Sequence, residues 1–180
     1  MSRIDESIAF VPVNIAVLTV SDTRTPEDDT SGDVIVERLE TAGHSLAARE
    51  IVRDDRAAIA ARLREWSADR DIDVVISTGG TGLTGRDVTV EAHRDVYDKE
   101  IDAFGVVFTQ VSMGKIGTSA VQSRACGGVT QGNYLFALPG SPGACRDAWD
   151  DILHYQLDYR HRPCNFVEIM PRLEEHRRRG

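Results

Sequence analysis

The run from Val13 to Val20, VNIAVLTV, limits the fold more than any other segment, because it is almost wholly apolar and shows no alternation. A strand with one wet face must alternate, so this run needs cover on both faces, as in an inner strand of a parallel sheet. It stops at Ser21-Asp22. After the polar loop TRTPEDDTSG, Ile35, Leu39 and Ala42 share a helical face, started at Thr30 or Ser31 and stopped by Gly43. Leu46 to Val52 reads as a second strand. Ile59, Leu63 and Trp66 repeat at helical spacing, and IDVVIS, from Ile72 to Ser77, reads as a third buried strand.

Further along, VTVEAHRDVYD predicts a helix, and Ile101, Phe104, Phe108 and Val111 mark a second one directly after it. A final strand is expected at Tyr134 to Leu138. It runs into PGSPGA, where Ser141 as N-cap and Pro142 at the first helical position start a long helix reaching about Leu157. The end, EEHRRRG, reads as a mobile tail. At 180 residues the chain suits one domain, and the alternation of elements implies a three-layer α/β/α sandwich. In such sheets ligands collect outside the carboxyl ends of the strands.

Composition removes several classes of function. A net charge of -8 opposes general nucleic-acid binding, which needs a cation for each phosphate contact. The three cysteines, Cys126, Cys145 and Cys164, are odd in number and widely spaced, so they fit neither a disulfide framework nor paired zinc ligands. The start MSRIDES carries acids where a signal peptide needs cations, and no apolar run is long enough for a membrane span. These features predict a cytoplasmic protein without a membrane partner.

Three loops follow expected strands and should converge on one rim of the sheet: the one opening at Ser21-Asp22, the one from Ser77 to Asp87, and Pro139 to Gly143. The middle loop, STGGTGLTGRD, carries four glycines that let backbone N–H groups approach a phosphate, and a helix expected just after Asp87 would add partial positive charge. Gly80, Gly82 and Gly85 also match GxGxxG. That pattern binds dinucleotides only inside a βαβ unit, and here two helices follow instead of a helix and a strand. A glycine turn without a ligand is the plain alternative, and no P-loop motif is present.

Asp87 is a candidate magnesium ligand or an N-cap, and Asp54 or Asp55 could supply a second carboxylate or merely close a turn. Arg86, Lys115 and Arg124 could meet phosphate oxygens or remain surface charges. Ser21, Ser77 and Ser123 lack an evident partner base, and His44 and His93 read as surface or helix-face residues. Chemistry here would rest on positioning and charge neutralisation rather than on a covalent nucleophile.

Five segments in order, TVSD at Thr19 to Asp22, DDTSG at Asp28 to Gly32, STGGTGLTGRDVTVEA from Ser77 to Ala92, QSRA at Gln122 to Ala125 and PGSP at Pro139 to Pro142, resemble the MoaB/MogA family of molybdenum cofactor biosynthesis proteins. GTSAVQSRA and RPCNF are more similar to the MoaB branch. The resemblance implies residues 13–166 as the molybdopterin-binding domain, with 1–12 an N-terminal extension and 167–180 a C-terminal tail. It implies a mainly parallel five-stranded sheet with one antiparallel strand, and a homo-oligomer, trimer or hexamer. The implied reaction is adenylylation of molybdopterin by ATP with Mg2+, releasing pyrophosphate; a non-catalytic molybdopterin-binding or delivery protein is the alternative.

By position, the resemblance assigns Asp54 and Asp87 as catalytic residues and metal ligands. The glycines of TGGTG, Gly79, Gly80 and Gly82, match family ligand-site positions, and the three rim loops add Ser21, Asp22, Ser77, Thr78, Thr81, Arg86, Pro139, Gly140 and Ser141 as candidates for the nucleotide or pterin site. Ser123 joins them, with Lys115 matching more loosely. Gly85 stands where many members have proline, and Gly143-Ala144 follows PGSP in place of the commoner asparagine pattern.

Overall fold

The structure is a computed structural model that describes residues 3–178. Its main sheet has the strand order β3-β2-β4-β7-β6-β5, formed by β2 (Asn14–Val20), β3 (Ser45–Val52), β4 (Val74–Thr78), β5 (Lys99–Glu100), β6 (Cys126–Thr130) and β7 (Asn133–Leu138). The first four strands in that order run parallel; β6 is antiparallel to β7, and β5 antiparallel to β6. The sheet therefore holds six strands rather than the five expected, the addition being the two-residue β5 at the edge.

Every side chain of β4 and β7 is buried. The reason is visible in how alternate residues divide. Ile15, Val17, Val74, Ile76, Tyr134 and Phe136 join one core with α1 (Thr30–Thr41), α4 (Asp102–Ile116) and α5 (Pro142–Ala148). Ala16, Leu18, Val75 and Leu135 face the other way, against Ile59, Leu63 and Trp66 of α2 (Arg56–Ala68) and Ala92 of α3 (Thr89–Arg94). Burial on both faces removes the wet side that alternation would mark.

β6 was not legible because its sequence is CGGVT. A β-carbon at Gly127 would lie 2.9 Å from the Phe136 ring, and one at Gly128 would lie 2.4 Å from the Tyr97 ring. Glycine there lets both rings lie flat on the strand, at the cost of any strand-like pattern.

Local signals explain the helix boundaries. Asp29, not Thr30 or Ser31, caps α1: its carboxylate accepts from Gly32 N, the Thr19 hydroxyl and Arg49 while fully buried, an ion pair that a serine could not make. Gly43 ends that helix at φ +92°, as expected. The helix expected over VTVEAHRDVYD is shorter, since α3 ends at Arg94 and turns lead to Asp98. Ser141 caps α5 with Pro142 in its first turn, and the helix continues through a π-helical turn (Trp149–Leu153) into α6 (His154–Gln156).

Both termini are docked on this domain. β1 (Arg3–Ile4) pairs with β8 (His161–Arg162), and Phe10 lies over Gly43 and the His44 ring. The expected boundary at residue 167 falls inside α7 (Phe166–Ile169), where Val167 is buried and the Tyr134 hydroxyl donates to the Phe166 carbonyl at 2.9 Å. Glu175–Arg178 form a 3-10 turn; Arg179 and Gly180 of the tail, like Met1 and Ser2 of the extension, lie outside the described residues. No helix among the described residues is long and apolar enough to cross a membrane.

Candidate functional site

The chain leaves β2 for β3 on one side and returns by α2 to β4 on the other, so β2 and β4 flank the point where the strand order reverses. Crevices form at such points beyond the carboxyl ends of the strands. The three loops anticipated from sequence meet there. Gly79 N donates to the Leu138 carbonyl at 3.1 Å, joining the glycine loop to β7. A β-carbon on Gly79 would lie 2.3 Å from the Val20 carbonyl oxygen, and one on Gly140 would lie 3.0 Å from Gly79 Cα. Thr78 ties the same junction from inside, its hydroxyl donating to the Pro139 carbonyl at 3.0 Å. Gly79 and Gly80 have φ of +100° and +64°, the backbone that folds the loop back over the sheet.

Two carboxylates flank this loop. A β-carbon on Gly80 would meet Asp54 Oδ1 at 2.7 Å, and one on Gly82 would meet Asp87 Oδ2 at 2.8 Å, so both acids occupy space that only glycine leaves open. Asp54 and Asp55 take different places. Asp55 caps α2, accepting from Ala58 N at 2.7 Å, whereas Asp54 faces the glycines. Burial, and then the charge of Asp87, raise the Asp54 carboxyl above its ordinary value. Bonds from Thr84 hold Asp87 below its usual value; the hydroxyl donates at 2.7 Å and the backbone N at 2.8 Å. Asp87 thus closes its own turn and does not cap α3, which begins at Thr89 and, with six residues, adds little dipole.

Asp22 links the rim. It accepts from Asp54 N at 3.3 Å and pairs with Arg86, which is otherwise 75% exposed on its side chain. Ser21 Oγ accepts from Thr23 N and Arg24 N and turns the chain beside a cleft of about 640 Å³ lined by Asp22, Arg24, Arg49 and Arg53. Arg124 is not a free cation. Its Nε donates to the carbonyls of Thr81 and Gly82 at 2.9 and 3.0 Å, and its terminal nitrogens grip Glu91 at 2.6 and 3.1 Å. Lys115 Nζ stands 3.6 Å from Asp151 and 3.9 Å from Asp147. Ser123 lies next to Arg124, its N donating to the Ala120 carbonyl. No hydrogen bond or ion pair joins either Lys115 or Ser123 to the glycine loop among the described residues. Nor do those residues hold a cluster of three or more His, Cys, Asp or Glu suited to a metal.

Comparison with known proteins identifies the family. The family model described as "Probable molybdopterin binding domain" matches residues 16–159. The chain belongs to that family. Molybdenum cofactor biosynthesis protein B of Escherichia coli (strain K12) is 48% identical over 160 residues, covering 89% of this chain and 94% of that protein. A crystal structure of a molybdenum cofactor biosynthesis protein B superposes with a TM-score of 0.84 at 38% identity, covering 93% of this chain and 99% of the other. The tungsten cofactor synthesizing protein MoaB from Pyrococcus furiosus gives a TM-score of 0.71 at 34% identity, over 79% and 91% of the two chains.

In this molybdopterin-binding domain His44 is not at the surface, and His93 lies on the inward face of α3. His44 and His93 are both buried. Ser77 has a partner base after all: His93 Nε2 lies 2.8 Å from its Oγ, while Nδ1 lies 3.0 Å from the Tyr97 hydroxyl. The Tyr97 hydroxyl in turn lies 3.3 Å from the Leu135 carbonyl, so the imidazole bridges Ser77 to the neighbouring strand. Ser77 is nevertheless fully buried beneath the loop. The pair fixes α3 to β4. Thr84, Thr89 and Glu91, which fasten the loop, escaped sequence reading because they sit within a segment whose glycines dominated the signal.

Burial pushes His93 down to about 3 and His44 to about 4. The unfolded chain takes up these protons near pH 6.5, while the folded protein refuses them until far lower. Stability is therefore full above about pH 6.5 and falls as pH drops toward the folded values. Unfolding in denaturant should lose about 2 kcal/mol per histidine between about pH 7 and about pH 5. His93→Gln should flatten that slope, and an equally steep slope in the variant would contradict it.

Proposed function

We propose that this chain adenylylates molybdopterin with ATP and Mg2+, releasing pyrophosphate. One observation carries the reading: Asp54 and Asp87 flank the same glycine loop, at the point where the strand order reverses. Magnesium asks for one or two carboxylates and takes its other ligands from phosphate and water, so this donor pair fits it without a larger cluster. When bound there by Asp54 and Asp87, it would neutralise charge on the reacting phosphates. Asp54 is raised by burial and then by the charge of Asp87, and a cation there would relieve both the desolvation and the repulsion.

The chain's own groups then have simple tasks. A phosphate oxygen of molybdopterin forms a bond to the α-phosphorus of ATP as the bond to the β-phosphate bridge breaks, and pyrophosphate leaves. The attacking oxygen is already anionic, so no side chain need remove a proton. That suits a site whose best base, His93, is fully buried and neutral. Backbone N–H groups of the glycine loop would hold the phosphates, and the rim residues from Ser21 to Asp22 and Pro139 to Ser141 would exclude water and align the partners. Val106, Met113, Ile116 and Val121, exposed on α4 and the turn after it, fit the trimer or hexamer implied by the resemblance. We place the reaction in the cytoplasm, where three unpaired cysteines are at home.

Incubation of the purified protein with molybdopterin, Mg-ATP and pyrophosphatase should yield adenylylated pterin. Saturable pterin binding with no product would replace this reading with that of a binding or delivery protein.

A further inference from the structure

The glycine loop has a backing that none of the site assignments includes. Four successive carbonyls are engaged by two residues outside the loop. The Thr89 hydroxyl donates to Gly79 O at 2.8 Å and Thr89 N to Gly80 O at 2.9 Å. Arg124 Nε serves both Thr81 O and Gly82 O. Across a trans peptide the C=O and the following N–H point in opposite directions. Anchoring these carbonyls on α3 and Arg124 therefore directs the N–H groups of Gly80, Thr81, Gly82 and Leu83 to the opposite side. Gly82 N–H turns toward the Asp87 carboxylate, and Gly80 and Thr81 N–H have no protein acceptor among the described residues.

We propose that Arg124, locked by Glu91, is a positioning residue that presents the Gly80 and Thr81 amides to the phosphates of the nucleotide. The inference rests on the nucleotide reading above and goes beyond it by assigning Arg124 a place behind the loop instead of on the ligand. The Glu91 grip is two-pronged, and it uses the guanidinium edge that a phosphate would otherwise take. A lysine has no such fork and could not brace two carbonyls and a carboxylate together.

The two roles for Arg124 predict opposite results for Glu91→Gln. If Arg124 braces the loop, weakening the grip loosens the amides, and Mg-ATP affinity falls. If Arg124 is itself a phosphate ligand, releasing it leaves affinity unchanged or raises it. Calorimetric titration of Mg-ATP into the full chain should show affinity reduced about tenfold in Arg124→Gln, with a smaller loss in Glu91→Gln and partial recovery in Arg124→Lys. Proton–nitrogen correlation spectra of the wild type should show the Gly80 and Thr81 amides shifting with Mg-ATP. Those shifts should shrink in Glu91→Gln, whose fold is checked by its remaining amide spectrum. Tighter or equal binding by Glu91→Gln, or wild-type binding that leaves both amides unmoved, overturns the inference alone. A wild type that binds no Mg-ATP overturns the nucleotide reading and this inference with it.

Discussion

Asp87→Asn is expected to lower the rate of adenylyl transfer by about 100-fold or more, because the change removes the charge that holds the cation while leaving a similar shape. The fold should survive. Asparagine keeps one side-chain oxygen to accept from Thr84 N and the Thr84 hydroxyl, the bonds that close this turn. Thermal unfolding should show a loss of about 1 kcal/mol at most, the cost of weakening the bond that Asp87 accepts from Gly82 N. Adenylylated pterin formed per unit time, compared in the two proteins at saturating substrates, checks the first part. An active Asp87→Asn protein would remove this carboxylate from the chemistry.

The second large effect is structural. Gly79→Ala should destabilise the protein by about 3 kcal/mol or more and abolish ligand binding in whatever fraction stays folded. Two costs combine at this residue. Its φ of +100° is one that alanine rarely adopts, and the new methyl would lie 2.3 Å from the Val20 carbonyl oxygen. That oxygen belongs to the backbone of a buried strand, so the loop rather than the strand must move. Gly85→Ala provides the contrast, since its β-carbon would meet nothing within 4 Å and its φ is ordinary. Denaturant unfolding should show Gly85→Ala equal to the wild type or slightly more stable, by about 0.4 to 1 kcal/mol. Similar midpoints for the two variants would mean that the glycine loop is not pinned against β2.

How far sequence could see follows from how local each signal is. The run VNIAVLTV announces β2 because burial on both faces leaves an unbroken apolar string, and Ser141-Pro142 announces α5 because capping is decided within one turn. The convergence of three loops follows from strand order alone. By contrast, β6 is invisible because Gly127 and Gly128 make room for rings from Phe136 and Tyr97, contacts that local sequence does not report. Burial of His93 had a faint trace: Val90, His93 and Tyr97 recur at helical spacing, which places the imidazole on the apolar face of α3. The grip between Glu91 and Arg124 spans 33 residues and had no trace at all. Asp29 reads as part of a polar loop, although its carboxylate is fully buried and pairs with the partly exposed Arg49.

If Asp54 and Asp87 serve one cation, a double-mutant cycle on adenylyl transfer will show it. Groups that act as a unit are strongly non-additive, so Asp54→Asn, Asp87→Asn and the double variant should all fall to nearly the same residual rate. Losses that simply multiply in the double variant, or a single variant that keeps wild-type activity, would contradict a shared site.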